Sequence, residues 1–234
     1  EADTEIAASV RAFGRGSAGH SHAHALHFTL RRAGEPVLID PGTYTYISDP
    51  VWRDRFRGTA AHNTIRIDAR DQADPAGPFG WSNIPLTEIV DFQASPWRLH
   101  ARCRYRGLSH ERRMAYSDGA LWVIDEISGA GRHKLEQFWH AAGPIEKLAD
   151  GSMQLRGGLR LIVPEKSAVE IQEGGEFGWS SPVPGLKQAS PVIRVSLESE
   201  LPCRMVAVLD SHGESAPLRV EKDFLALGDR KIRI

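Results

Sequence analysis

The stretch SDGALWVIDEI, residues 117–127, decides the class of the fold. Ser117, Asp118 and Gly119 form a turn cluster, and the apolar run behind them is short and bounded, as a strand would be. The same grammar repeats outward in both directions. Upstream stand ALHFTL, PVLID, NTIRID, LTEIVDF and RLHARCRY; downstream stand KLEQFWHA, LRLIVP, AVEIQ, VIRVSLES and CRMVAVLD. Turn clusters at 33–36, 149–151 and 174–175 suit hairpins between antiparallel neighbours. These runs predict an all-β chain: a large antiparallel β-sandwich of two packed sheets, its strands following one another as a meander. DPVWRDRFRG is the exception and predicts one short helix over 49–58. Two stretches, 68–83 and 173–191, read as long loops, and ordered loops of that length are commonly functional.

With 234 residues, 41% of them hydrophobic and 25% charged, the chain has material for one substantial core, and no repeat, low-complexity tract or linker divides it. One domain over 1–234 is expected. The 29 basic and 30 acidic residues give a net charge of -1, which excludes bulk electrostatic capture of nucleic acid. No apolar run approaches the roughly 18 residues of a membrane span. The chain does not begin with Met and reads as an excised piece whose targeting segment lies elsewhere. Cys103 and Cys203 lack C-x-x-C spacing and read as small buried hydrophobes, with a disulfide between them left open.

Chemistry concentrates in GHSHAHALHF, residues 19–28. As a strand, this stretch would put His20, His22 and His24 on one face and His27 on the other. A row of imidazoles suggests a metal. His22, Asp40 and His62 form a distributed ligand set, and two imidazoles with one carboxylate suit zinc or another borderline divalent ion better than calcium. The alternative is a set of buried, hydrogen-bonded histidines. His20, beside His22, reads as an acid–base group, a further ligand or a plain surface histidine. Arg53, Arg55 and Arg57, interleaved with Trp52, Asp54 and Phe56, suit an anionic sugar chain, or else a helix with internal ion pairs. Asn63 reads as a turn cap or a substrate contact, Tyr44 and Tyr46 as phenols near a site, and His140 as structural.

Taken together, GHSHAHALHF, VLIDPGTYTY, WRDRFRGTAAHNTIRID and GPFGW resemble the C-terminal domain of the heparinase II/III-like polysaccharide lyases. The likeness is specific through residues 11–81 and looser at KLEQFWHAAGP and GWSSPVPGLKQASPVIRV. It implies a β-sandwich following an N-terminal α-helical toroid that is absent from this chain, with a catalytic cleft between them. By the family pattern His20 is the catalytic histidine, and His22, Asp40 and His62 hold zinc. Arg53, Arg57, Asn63 and Tyr46 become substrate contacts. The implied reaction is β-elimination on a uronate-containing anionic polysaccharide, such as a glycosaminoglycan or alginate, in a periplasmic or secreted setting. A catalytic tyrosine and the group facing the uronate carboxylate are implied on the toroid. One departure stands out: His24 occupies a position where the family commonly carries aspartate. Two other readings use the same residues. One is a non-catalytic module that binds anionic glycans. The other is a non-haem iron oxygenase, against which the chain lacks the glutamate expected after H-x-H.

Overall fold

The run at 117–127 supplies strand Ala120–Ser128, which is buried on both faces. Leu121, Val123 and Ile127 enter the main core, and Ala120, Trp122 and Ile124 a second one. A strand covered on both sides carries a continuous apolar run rather than an alternating one. The computed structural model describes residues 3–14, 18–213 and 216–233; Glu1 and Ile234, the expected limits of the domain, lie outside the described residues.

One sheet has eight antiparallel strands. Leu86–Ala94, Trp97–Tyr105, Leu108–Ser117 and Ala120–Ser128 form a meander, as expected of the sheet, although Leu108–Ser117 is a strand that the apolar runs did not predict. The meander then breaks, because Cys203–Asp210 returns to pair with Ala120–Ser128, followed by Arg160–Ile162, Met153–Gln154 and Glu146–Lys147. Against it lie a four-stranded sheet (Ala168–Glu173, Pro191–Glu200, Arg132–His140, Ile65–Ile67) and a three-stranded one (Thr4–Ser9, His27–Arg32, Glu35–Leu38). Leu135, Trp139, Ile193 and Val195 meet Leu99, Val123, Ala207 and Leu209 between the layers. Burial of each such side chain contributes about 1.5–3 kcal/mol. A C-terminal sheet, Leu218–Val220, Phe224–Leu227 and Arg230–Arg233, covers Trp122, Ile124, Val206 and Val208 on the outer face of the large sheet. Among the described residues no helix is long and apolar enough to cross a membrane.

Helix Pro50–Arg57 forms where expected: Asp49 caps it by accepting the Trp52 N–H at 3.2 Å, and Pro50 opens it. The stretch 173–191 departs from the expected loop, since Trp179–Val183 and Leu186–Ala189 pair as a hairpin. Both cysteines are free. Cys103 faces His110, His110 faces Ile127, and Ile127 faces Cys203 across successive strands. Three strand spacings separate them by about 14 Å, beyond the roughly 7 Å Cα limit of a disulfide.

Candidate functional site

The histidine stretch is not the strand that its alternation suggested. Regular pairing in this region begins only at His27, and Leu26 sits at φ 63°. Its backbone polar groups are satisfied by other elements instead of by a sheet ladder. Ala23 N–H donates to the Arg57 carbonyl at 2.8 Å and Leu26 N–H to the Ser9 carbonyl at 2.9 Å. Gln72 clamps Ala25, accepting its N–H at 2.7 Å and donating to its carbonyl at 3.1 Å. Trp81 Nε1 donates to the Ser21 carbonyl at 2.9 Å, and Arg112 Nη1 to those of Leu26 and Asn63 at 2.7 and 2.6 Å. Such over-determination holds a non-glycine residue at positive φ, a conformation costing on the order of 1–3 kcal/mol. Its consequence corrects the expected faces: His27 N–H bonds the His24 carbonyl at 3.0 Å, and the turn brings both rings to one side, their centroids 5.9 Å apart.

Four imidazoles and a carboxylate meet there. His62, fully buried, follows the short 3-10 turn Thr59–Ala61, and its Nδ1 donates to the Gly58 carbonyl at 2.7 Å. That bond leaves the Nε2 lone pair of His62 to face His22 Nδ1 at 3.1 Å and Asp40 Oδ2 at 3.7 Å. Asp40 Oδ1 accepts the Gly42 N–H at 2.8 Å. Gly42 stands at φ 89°, with Ser181 O where a Cβ would project, so the chain turns here against strand Trp179–Val183. The ligand atoms of His22, His24 and His62 lie within 4.8 Å of one another. Burial lowers the pKa of His22, holds those of His27 and His62 well below the ordinary value, and pushes that of His24 down to about 4, with the neighbouring imidazoles adding to the last three. The rings are therefore neutral at pH 7, the form in which imidazole binds a metal.

His20 lies outside this buried group. It is exposed, edge-on to Tyr46 at 5.5 Å and to Phe79 at 6.3 Å, and Tyr46 stacks on Phe79 at 5.8 Å. His20, His22, Tyr46, Arg53 and Arg57 line one narrow crevice. An exposed imidazole thus stands at the mouth of a crevice whose inner end reaches the buried cluster.

Over residues 2–200 the chain matches the model of the family described as Heparinase II/III-like, C-terminal. It belongs to that family. The fold is similar to heparan sulfate lyase HepC from Pedobacter heparinus, with a TM-score of 0.76 at 15% identity over 99% of this chain and 39% of that one. It is also similar to a solved heparinase III, with a TM-score of 0.73 at 12% identity over 99% of this chain and 39% of that one. The heparinase II/III-like chain thus spans about two-fifths of the length of these proteins. A comparison with curated proteins gives no match.

Within the heparinase II/III-like domain, the expected substrate contacts divide. Tyr46 opens on the crevice, but Asn63 is buried beneath the cluster. Its Nδ2 donates to the Phe28 and Ile39 carbonyls at 2.8 and 3.1 Å, and its Oδ1 accepts the His140 N–H at 2.6 Å. These bonds give it a structural role in place of the expected substrate contact. Arg53 and Arg57 are buried in the crevice wall and share Asp54, at 3.0 and 2.8 Å from their Nε atoms. Arg57 also donates to the Pro78 and Gly77 carbonyls at 3.1 and 2.7 Å, so Arg53 and Arg57 resolve into an internal network, while Arg55 stays exposed with its guanidinium 4.8 Å from the Trp52 ring centroid. His140 is structural, its Nε2 bonded to the Ala60 carbonyl at 2.9 Å. Sequence reasoning did not reach Ser9, Gln72 or Arg112, which pin the histidine loop. Only Gln72 carried a signal, as a member of the dense loop at 68–83.

Proposed function

We propose that this heparinase II/III-like domain is the histidine-bearing part of a polysaccharide lyase that cleaves uronate-containing anionic chains by β-elimination. The observation that carries the reading is the exposed His20 at a crevice backed by neutral, buried imidazoles and Asp40. β-Elimination removes the C5 proton of the uronate, breaks the C4–O4 bond, forms a C4=C5 double bond and protonates the departing oxygen. His20 takes or relays the C5 proton, a role suited to an imidazole in contact with solvent. Tyr46 and Phe79 offer ring surfaces to the sugar. Because Asp54 and the Gly77 and Pro78 carbonyls already engage the buried Arg53 and Arg57, neutralising the uronate carboxylate falls to the helical domain expected upstream. That dependence predicts little or no lyase activity from this chain alone.

We assign His22, Asp40 and His62 to a divalent ion, since two imidazoles held neutral by burial and one carboxylate form a donor set suited to zinc; the ligand atoms that converge within 4.8 Å are those of His22, His24 and His62, and Asp40 Oδ2 stands 3.7 Å from His62 Nε2. Bound there, zinc would cross-link the histidine loop to the turns that carry Asp40 and His62. Glycosaminoglycan and alginate are the substrate classes, and a polymer outside the cell calls for a secreted or periplasmic enzyme.

The test uses the parent protein with its helical domain. Wild-type protein should generate the ultraviolet absorbance of the unsaturated uronate product. His20→Ala should lower kcat about 10²–10⁴-fold while keeping its zinc. His22→Ala and Asp40→Ala should lose zinc by elemental mass spectrometry. Glycan binding that survives His20→Ala, with no bond cleavage by the intact wild-type protein, would establish the non-catalytic binding module instead.

A further inference from the structure

We propose that His24 is a fourth ligand of the ion, giving a site of three imidazoles and one carboxylate, and that His27 is the donor that orients Asp40 rather than a ligand. This rests on the metal reading above and is carried by the hydrogen bonds around each ring.

A ligating imidazole presents one nitrogen lone pair to the ion and fixes its other N–H on a neighbouring oxygen. His62 does this through Gly58 O. In the tautomer we assign, His24 repeats the arrangement: Nε2, 2.8 Å from Ser9 Oγ, donates to that hydroxyl, and Nδ1, buried with no hydrogen-bond partner among the described residues, keeps its lone pair. A buried nitrogen left in this state calls for an acceptor of its lone pair, and its ring lies 5.0 Å from that of His62 and 5.7 Å from that of His22, centroid to centroid. The 3.1 Å between His22 Nδ1 and His62 Nε2 is near the ~3.3 Å edge of a tetrahedron with bonds of about 2.0 Å. His27 has the opposite tautomer. Its Nδ1 accepts the Asn63 N–H at 2.8 Å, so Nε2 carries the proton; buried without a hydrogen-bond partner among the described residues, that N–H faces Asp40 Oδ2 at 3.6 Å, outside hydrogen-bond length. A protonated nitrogen cannot ligate, but it can aim the carboxylate. Four protein ligands close the shell, which makes the ion a structural staple and leaves the proton transfer to His20.

X-ray absorption at the zinc edge, on the zinc-loaded chain, counts the imidazoles without any substitution. Three are expected, with one zinc per chain. His24→Ala should retain zinc at saturation with two imidazoles and at least tenfold weaker affinity in chelator competition. Ser9→Ala should keep all three and bind about 10–100-fold more weakly, as loss of an outer partner does. Zinc bound by two imidazoles in the wild type, with His24→Ala at wild-type affinity, would overturn the role of His24 and leave the His22, Asp40 and His62 site standing. A wild type that binds no more zinc than His22→Ala would overturn the metal reading itself, and this inference with it.

Discussion

His140 shows what burial does to a histidine with a purely structural task. Its pKa is pushed down to about 4 by burial, only partly offset by the Ala60 carbonyl and Asp40. In the unfolded chain the same group titrates near 6.5. Between those values the unfolded state holds more protons, so acidification through the window removes stability, by up to ~1.4 kcal/mol per pH unit for each such group. Below about 4 both states are protonated and this slope ends. The metal-free protein should therefore show a lower urea midpoint at pH 5 than at pH 7, and His140→Gln should flatten part of the difference. Equal wild-type midpoints at the two pH values would contradict the assignment. The residue scale is also where the sequence was least legible. Alternation placed His27 opposite His24 because nothing local announces a positive φ at Leu26, a turn held by Gln72, Ser9 and Arg112 from distant parts of the chain. The types of the ligands were readable; the tautomers that sort ligand from orienter depend on those distant partners.

At the scale of elements, legibility followed the side chains that face the core. Asp49, Pro50 and Gly58 punctuate the helix locally, so its limits could be read directly. Strand Leu108–Ser117 escaped because three of its core-facing positions are His110, Arg112 and Met114, which leave no apolar period to find. His110 and Arg112 surround Asp125, which accepts from His110 Nε2 at 2.6 Å, Arg112 Nε and Nη2 at 2.7 and 2.8 Å, and Gln137 Nε2 at 2.7 Å across the core. Burial would raise the pKa of Asp125, but Arg112 and His110 reverse this and hold it below the usual carboxylate range. Removing one partner of a buried charged set is costly because the others stay desolvated and unpaired. Asp125→Ala should thus cost about 3–5 kcal/mol in urea denaturation. Removing the exposed-end helix cap with Asp49→Ala should cost only ~1 kcal/mol. Similar losses in the two variants would show that the Asp125 network is not the polar anchor of the core.

For the whole molecule, the sandwich was legible because strand runs and turns are local signals, whereas the return of Cys203–Asp210 into the middle of the large sheet is a long-range pairing. The third layer was hidden for the same reason. It lies beyond residue 200, outside the stretch matched by the family model, and packs on the side of the large sheet away from the histidine cluster. Leu225 is fully buried there against the outer face of strands Ala120–Ser128 and Cys203–Asp210. Leu225→Ala removes that contact and leaves a cavity, at an expected ~2–5 kcal/mol. The main core lies between this layer and the cluster, and sites this far apart without shared partners behave additively. The variant should therefore bind zinc with wild-type stoichiometry and affinity under folding conditions while unfolding at lower urea. A loss of zinc affinity matching the loss of stability would mean that the outer layer holds the large sheet, and through Arg112 the histidine loop, in its binding geometry.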